Sequence, residues 1–185
     1  MQSYIKNTLT EKSNLRNSHP ELLNSTAIAD IAISTSSDVL ITFVSQRTNA
    51  PNALAFYTYP GNTPPASAKD IKAITYIFPS IGVGTKLKAG DKVKIGRFNA
   101  GTSIGLVLLQ GAWNAAAKTL NNNAVHFCST DLLNPEVDRN LKKHAVLINY
   151  PLENKVLIGF EDIDRTNEEC DHDFNDVVAY ATVTP

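Results

Sequence analysis

Short runs of apolar and β-branched residues follow one another along the chain, and none is longer than about eight residues. Apolar and polar positions alternate within many of them, and this period of two is typical of strands with one face in a core. Turn residues separate the runs, as in Pro60-Gly-Asn-Thr-Pro-Pro65. The pattern predicts ten strands, at Ile28–Ser34, Val39–Ser45, Leu54–Tyr59, Ile71–Phe78, Lys92–Phe98, Ile104–Leu109, Ala124–Phe127, Ala145–Tyr150, Val156–Phe160 and Val177–Val183.

Strands of this number and spacing favour an all-β fold, a two-sheet antiparallel β-sandwich of jelly-roll type with few short helices. Only Trp113–Leu120 and Pro135–Lys142 carry a helical pattern, and the second is short enough to be a single turn. Residues 1–25 are polar, so we expect an extended or partly helical N-terminal lead-in whose few apolar residues dock on the domain. Residues 26–185 are expected to form a single β-sandwich domain, because 185 residues with 43% hydrophobic content suffice for one core.

The charge of the chain is unevenly distributed. The formal net charge is −1, yet eight of the eighteen carboxylates lie within residues 161–176. Outside that segment, sixteen lysines and arginines face ten acidic residues. The densest basic stretch contains Lys92 and Lys94, whose alternation fits one solvated face of a strand. No nucleic-acid-binding motif accompanies these charges, so we expect no nucleic-acid partner.

The acidic segment has the composition of a metal site. Asp171, Asp173 and Asn175 alternate, so they could direct three oxygens to one point, and Glu161 and Asp162 supply further oxygens from the other end of the segment. Oxygen ligands in this number suit Ca²⁺, which takes about 6–8 of them. The alternative is a solvated surface loop, since charge runs are often no more than that.

An EF-hand does not fit this segment. Counted from Asp171, the sixth position is Asp176 where an EF-hand has glycine, and the twelfth is Thr182 where it has glutamate. The residues that follow, Val177–Val183, are β-branched and strand-like rather than helical. The sequence therefore predicts a cation site on a β-hairpin.

The cysteine and histidine residues do not indicate a catalytic or zinc site. Cys128 and Cys170 have no CxxC spacing. They could pair in an oxidising compartment, but we expect two free thiols, the first in the core and the second in an exposed loop. His144 precedes an apolar run and is expected in the core or at a sheet edge, whereas the alternation turns His172 away from the carboxylates. The chain has no apolar run of about 18 residues and no export signal at its start, so we expect no membrane-spanning segment.

Two motifs near the end of the chain resemble a known family. The segment Gly159-Phe-Glu-Asp-Ile-Asp-Arg165, followed by Asp171-His-Asp-Phe-Asn-Asp-Val-Val178, is similar to the signature of the LruC / DUF4114 group of bacterial surface and secreted proteins. Weaker likeness extends back through Leu54-Ala-Phe-Tyr-Thr-Tyr-Pro60 and Leu87-Lys-Ala-Gly-Asp-Lys-Val-Lys94. The resemblance therefore covers most of residues 20–185.

The resemblance implies a β-sandwich with a calcium site in an exported protein. Carried over by motif, the implied metal ligands are Glu161, Asp162, Asp171, Asp173, Asn175 and Asp176. Two departures from the family pattern concern function. Ser45-Gln-Arg-Thr48 stands where the family tends to have an acidic, glycine-containing segment, and this chain does not begin with an export signal.

The expected function is that of a secreted or cell-surface, calcium-binding module that mediates binding or adhesion to a glycan or a protein. Tyr57, Tyr59 and Trp113 are candidate platforms for a sugar, although aromatic residues on strands more often belong to a core. The alternative is a calcium-stabilised component of a surface or exported toxin-like complex that assembles by self-association. A metal-dependent hydrolase is the weakest hypothesis, because no GxSxG, HExxH or phosphate-binding glycine motif is present, and we expect no enzyme.

Overall fold

The computed structural model describes residues 2–24, 27–61 and 63–185. Two short α-helices open the chain, α1 (Gln2–Thr8) and α2 (Leu15–Ser18). The remaining helical turns in the described residues are short 3-10 helices at Pro20–Leu23, Ala68–Asp70, Asp131–Leu133, Arg139–Leu141 and Pro151–Glu153. The strands are β1 (Ile31–Ile33), β2 (Ser37–Gln46), β3 (Ala53–Pro60), β4 (Thr75–Phe78), β5 (Lys92–Phe98), β6 (Thr102–Leu109), β7 (Trp113–Asn114), β8 (Thr119–Leu120), β9 (His126–Cys128), β10 (Ala145–Tyr150), β11 (Lys155–Phe160) and β12 (Val177–Thr184).

The strands form two large antiparallel sheets. The first sheet has the order β1-β6-β3-β4, with β9 also paired to β6, and the second has the order β10-β11-β12-β2-β5. The chain crosses between the sheets after β1, β2, β4, β5 and β9, so neither sheet is a local meander. The expected all-β, two-sheet antiparallel sandwich with few short helices is confirmed.

The main core lies between the two sheets and follows from the period of two. In β2, Val39, Ile41 and Phe43 point inward and are almost fully buried. They belong to one cluster with Leu106 of β6 and Phe160 of β11. Burial of each such side chain stabilises the fold by about 1.5–3 kcal/mol before entropic costs.

The lead-in covers the outer face of the second sheet. Ile5, Leu9 and Leu15 form a buried cluster with strand residues that alternate with those of the main core. These strand residues are Val146 and Ile148 of β10, Leu157 of β11 and Val178 of β12. The middle of the second sheet is therefore apolar on both faces, which explains the nearly continuous apolar runs in β10 and at the start of β12. None of the helices in the described residues is long and apolar enough to cross a bilayer.

Of the two segments with a helical pattern, Trp113–Leu120 differs from the prediction, whereas Pro135–Lys142 contains the single turn that its length indicated. Trp113–Leu120 was predicted to be helical but is the β7–β8 hairpin, in which Trp113 pairs with Leu120. The side chain of Asn114 accepts hydrogen bonds from the N–H groups of Ala116 and Ala117 and so competes with helical pairing. Within Pro135–Lys142 the helical content is the single 3-10 turn at Arg139–Leu141.

The packing of the lead-in can be tested with two leucine truncations. Leu15 is fully buried, whereas Leu152 is 86% exposed. We expect Leu15→Ala to lower the free energy of unfolding by about 2–4 kcal/mol, because it leaves a cavity beneath the lead-in. Leu152→Ala should change it by no more than about 0.5 kcal/mol. Urea unfolding of both variants measures the difference, and equal small losses would mean that the lead-in is not part of the folded unit.

Candidate metal centre

The acidic segment connects β11 to β12 at one end of the second sheet. Phe160 pairs with Val177, so Glu161 and Asp176 leave adjacent strands side by side. The backbone N–H of Arg47, just beyond β2, donates to the carbonyl oxygen of Asp176 at 2.9 Å. Residues 161–176 therefore project from a β-hairpin, as the sequence indicated, and the end of β2 flanks them.

One group of carboxylates forms around Asp173. A carboxylate oxygen from each of Asp171, Asp173 and Glu11 lies within 4.8 Å of the others. Asp173 is buried, and its Oδ2 accepts hydrogen bonds from the backbone N–H of Lys12 at 2.7 Å and from Nδ2 of Asn175 at 2.8 Å. Its Oδ1 accepts from the backbone N–H of Asn175 at 3.0 Å. Asn175 thus orients Asp173.

Glu11 belongs to the carboxylate group around Asp173, although the sequence pattern did not indicate it as a ligand. It lies 160 residues from Asp171 along the chain, and no motif surrounds it. The sequence offers one indication of its role, because Glu11 is an acidic residue in the lead-in, which was expected to dock on the domain. The packing of α1 and α2 on the second sheet brings it to the acidic segment.

A second group of carboxylates lines a cavity of about 480 Å³ beside the first. Glu161, Asp162 and Asp176 belong to it, and Asp171 borders both groups. The backbone N–H of Asp162 donates to Oδ2 of Asp176 at 2.9 Å. The structure therefore places four of the six expected ligands around one cavity, while Asp173 and Asn175 lie on the side that faces the lead-in.

Neutral groups contact these carboxylates from distant parts of the chain. Oδ2 of Asp162 accepts hydrogen bonds from the hydroxyl of Thr48 and the side-chain amide of Asn52. Oε1 of Glu161 accepts from the backbone N–H of Phe174 at 2.8 Å. Thr48 belongs to the segment in which this chain departs from the family pattern, and it supplies a hydroxyl to the site.

Burial and mutual repulsion raise the pKa of three carboxyl groups of the site. Burial is the largest cause in each case, and nearby carboxylates add to it. The pKa of Glu161 is raised to about 7 and that of Asp173 to about 6. The pKa of Asp176 is raised to about 9, with Asp162 and Glu161 as the neighbouring charges. Near neutral pH the site therefore holds protons that a bound cation would displace.

Arg165 does not neutralise the acidic segment by ion pairing. Its Nη1 donates to the carbonyl oxygen of Lys143 at 2.8 Å, and its guanidinium lies over the ring of Phe174, 5.1 Å from the centroid. Among the described residues, no lysine or arginine side chain forms a salt bridge with Glu161, Asp162, Asp171, Asp173 or Asp176. Buried carboxylates without a positive counter-charge are costly even when they are hydrogen-bonded, so this arrangement favours a cation.

His172 and Cys170 are both buried, at 8% exposure, so the expected exposed position of Cys170 is wrong. Nδ1 of His172 accepts from Nε of Arg165 at 3.2 Å, and burial with the nearby Arg16 lowers its pKa to about 4. The Cys170 thiol donates to Oε2 of Glu161 at 3.2 Å, and burial raises its pKa. Cys128 is a buried core thiol as expected, and both cysteines are free.

The donor set fits a hard cation. The converging atoms are carboxylate oxygens, with hydroxyl and amide groups around them, and such donors suit Ca²⁺ or Mg²⁺ rather than Zn²⁺. Glu11, Asp171 and Asp173 could bind an ion directly, and Glu161, Asp162 and Asp176 could bind one in the adjoining cavity. Tyr57, one of the candidate sugar platforms, is 2% exposed and belongs to the packing of the first sheet.

Comparison with known proteins identifies the part of the chain that holds most of this site. No curated protein and no solved structure matches the chain significantly. Residues 98–184 match the family model described as domain of unknown function (DUF4114). The match includes β6 to β12 and all six expected ligands, whereas Glu11, Thr48 and Asn52 lie outside it. The match covers just under half of the chain, and over these residues it confirms the expected resemblance to the DUF4114 family.

Proposed function

We propose that this protein is an extracellular, calcium-binding β-sandwich module that binds a glycan or a cell-surface protein. The observation that carries the proposal is the set of converging carboxylates at the β11–β12 connection together with Glu11 of the lead-in, of which Glu161, Asp162 and Asp173 are buried. Among these carboxylates in the described residues, only Glu11 lies within salt-bridge distance of an arginine or lysine, 3.9 Å from Nε of Arg47. A divalent cation would offset their repulsion and replace the protons that they hold near neutral pH.

Calcium is favoured over magnesium by the number and variety of the oxygens. Magnesium requires near-ideal octahedral geometry and keeps several of its waters, whereas calcium accepts 6–8 oxygens in flexible arrangements. The carboxylates of this site come from two groups that share Asp171, which suits a large and adaptable ion. Extracellular modules bind calcium with Kd values of about 10⁻⁴–10⁻³ M, and we expect an affinity in this range for the proposed site.

A binding role is supported by the polar cavity beside the carboxylates. Arg47, Asn49 and Gln110 line it together with the acidic residues. These side chains offer hydrogen bonds to a polar partner that could also contact the ion. The alternative, an assembly component, receives less support from the sheet edge at β5, because Lys92, Lys94 and Arg97 are exposed there and charged edges disfavour strand pairing between copies.

A non-enzymatic role is supported by the protonation of the Cys170 thiol and by the burial of His144, the candidate nucleophile and base. The Cys170 thiol has a raised pKa, and a thiolate is needed for nucleophilic chemistry. Nε2 of His144 lies 2.6 Å from Oε1 of Glu136, but both side chains are fully buried and inaccessible to a substrate. We therefore propose that the carboxylates bind an ion and do not act as catalytic acids or bases.

Thermal unfolding with and without calcium tests the proposed site. Calcium at about 100 times its Kd should stabilise the native state by about 2.7 kcal/mol, which for a protein of this size raises Tm by about 5–10 °C. Asp173→Ala should remove most of this increment, whereas Glu168→Ala, on an exposed part of the same segment, should retain it. The measurement is differential scanning fluorimetry in EGTA, in calcium and in magnesium.

Asp173 also accepts structural hydrogen bonds, so its substitution lowers Tm even without calcium. The measured quantity is therefore the rise in Tm on addition of calcium, taken separately for each variant. A Tm that does not respond to calcium in the unsubstituted protein would refute the site. Equal losses in the two variants would refute the assignment of Asp173 as a ligand.

The carboxyl groups also predict how stability depends on pH in the absence of calcium. Asp176 has a pKa of about 9 in the folded protein, against about 3.9 in the unfolded chain, so the native state binds more protons between these values. Its contribution to stability is therefore lost as pH rises toward 9, and the upper part of the Glu161 titration adds to the loss. We expect the free energy of unfolding in EGTA to fall between pH 7 and pH 9.

Urea unfolding at pH 7, 8 and 9 measures this loss of stability. Below about pH 6.5 the lowered pKa of His172 makes stability rise with pH, and the chosen range avoids this opposite effect. Asp176→Asn should flatten the profile, since the amide does not titrate. Saturating calcium should also flatten it, because the ion binds the deprotonated carboxylates. A steep profile in Asp176→Asn would assign the dependence to other groups.

A further inference from the structure

We infer that residues 9–16 form a strap that the cation fastens onto the acidic segment, so that calcium controls how tightly the lead-in is held on the sandwich. The strap runs from the end of α1 into α2 and passes over residues 171–175. This inference rests on the proposed function, because it describes how calcium binding at the same site is transmitted to another part of the chain.

Two backbone hydrogen bonds join the strap to the acidic segment. The backbone N–H of Lys12 donates to Oδ2 of Asp173 at 2.7 Å. The backbone N–H of Leu15 donates to the carbonyl oxygen of His172 at 2.9 Å. The strap thus uses backbone and side-chain groups of the very residues that carry the site.

Apolar packing fixes the distance between the strap and the sheet. A Cβ atom on Gly159 would lie 2.4 Å from the carbonyl oxygen of Phe174 and 2.7 Å from Cδ1 of Leu9. The absence of a side chain at Gly159 therefore lets both the acidic segment and the strap approach β11. Leu15 is fully buried in the same cluster as Phe174.

The conformation of the acidic segment depends on these contacts. His172 and Phe174 have φ values of 59° and 57°, a region that costs non-glycine residues about 1–2 kcal/mol each. Such a backbone persists only where its surroundings hold it in place. The carbonyl of His172 and the ring of Phe174 both contact the strap, so the strap and the segment stabilise each other.

Glu11 makes this mutual support sensitive to the cation. Its carboxylate lies in one group with those of Asp171 and Asp173. Without an ion the three charges repel one another, and Arg47, whose Nε is 3.9 Å from Glu11, is too exposed to offset the repulsion. When a cation is bound, all three carboxylates are attracted to it. Glu11 therefore weakens the contact between the strap and the acidic segment without the ion and strengthens it with the ion.

Release of the strap would uncover the outer face of the second sheet. The buried side chains beneath the lead-in include Val146, Leu157 and Val178. Local opening of this kind exposes apolar surface without unfolding the main core between the sheets, which lies on the other side of the same strands.

Hydrogen exchange of the full chain, followed by mass spectrometry in EGTA and in calcium, tests the inference. Peptides that contain the Lys12 and Leu15 amides should exchange about tenfold more slowly in calcium. Peptides from the pairing of β3 with β6 in the opposite sheet serve as an internal reference and should change much less. Calcium titration by calorimetry on the same protein reports binding itself.

Glu11→Ala and Glu21→Ala provide the matched pair of variants. Both lie in the lead-in, but the Glu21 side chain is 63% exposed and pairs with His19. Glu11→Ala should still bind calcium, more weakly, and should lose the calcium-dependent protection of the strap, whereas Glu21→Ala should behave as the unsubstituted protein. Calorimetric binding without protection of the strap would overturn this inference and leave the calcium site intact. Unchanged protection in Glu11→Ala would also overturn it, and no calorimetric binding would overturn both proposals.

Discussion

The structure of this protein depends on carboxylates that are held close together and away from water at one end of a β-hairpin. Glu161 and Asp176 leave adjacent strands, and Asp162 and Asp173 are buried beside them. The raised pKa values of Glu161, Asp173 and Asp176 reflect the unfavourable energy of this arrangement when no cation is bound. A cation changes the sign of that energy, because the same oxygens that repel one another attract it. Most features of this end of the sandwich follow from the need to hold these groups in place.

The sandwich supplies the rigidity that such a site requires. β11 and β12 lie at the middle of the second sheet, and both of their faces are covered, one by the main core and the other by the lead-in. The acidic segment therefore begins and ends on strands that cannot move independently. Thr48 and Asn52, from the connection between β2 and β3, add neutral hydrogen bonds to Asp162 from a third direction.

The proposed strap gives the lead-in a role that goes beyond covering apolar surface. The DUF4114 match covers residues 98–184, yet the carboxylate of Glu11 and the N–H of Lys12 contact the acidic segment from outside it. If calcium fastens the strap, an ion bound at the hairpin affects the opposite terminus of the chain and the apolar face beneath it. The polar cavity beside the carboxylates would then be one of two surfaces that respond to the ion.

The sequence by itself determined the ten strands of the two large sheets, because the period of two between buried and exposed positions is a local property of each run. It also located the hairpin that carries the acidic segment and the oxygen chemistry of its side chains. Tertiary structure decided the rest. Glu11, Thr48 and Asn52 reach the site only because distant segments pack together, and no local pattern encodes that proximity. His172 is buried between Arg16 of the lead-in and Arg165, and Cys170 is buried against Glu161 and His172, which their polar neighbours in sequence did not indicate. Trp113–Leu120 became a hairpin because hydrogen bonds to Asn114 outweighed a weak helical propensity.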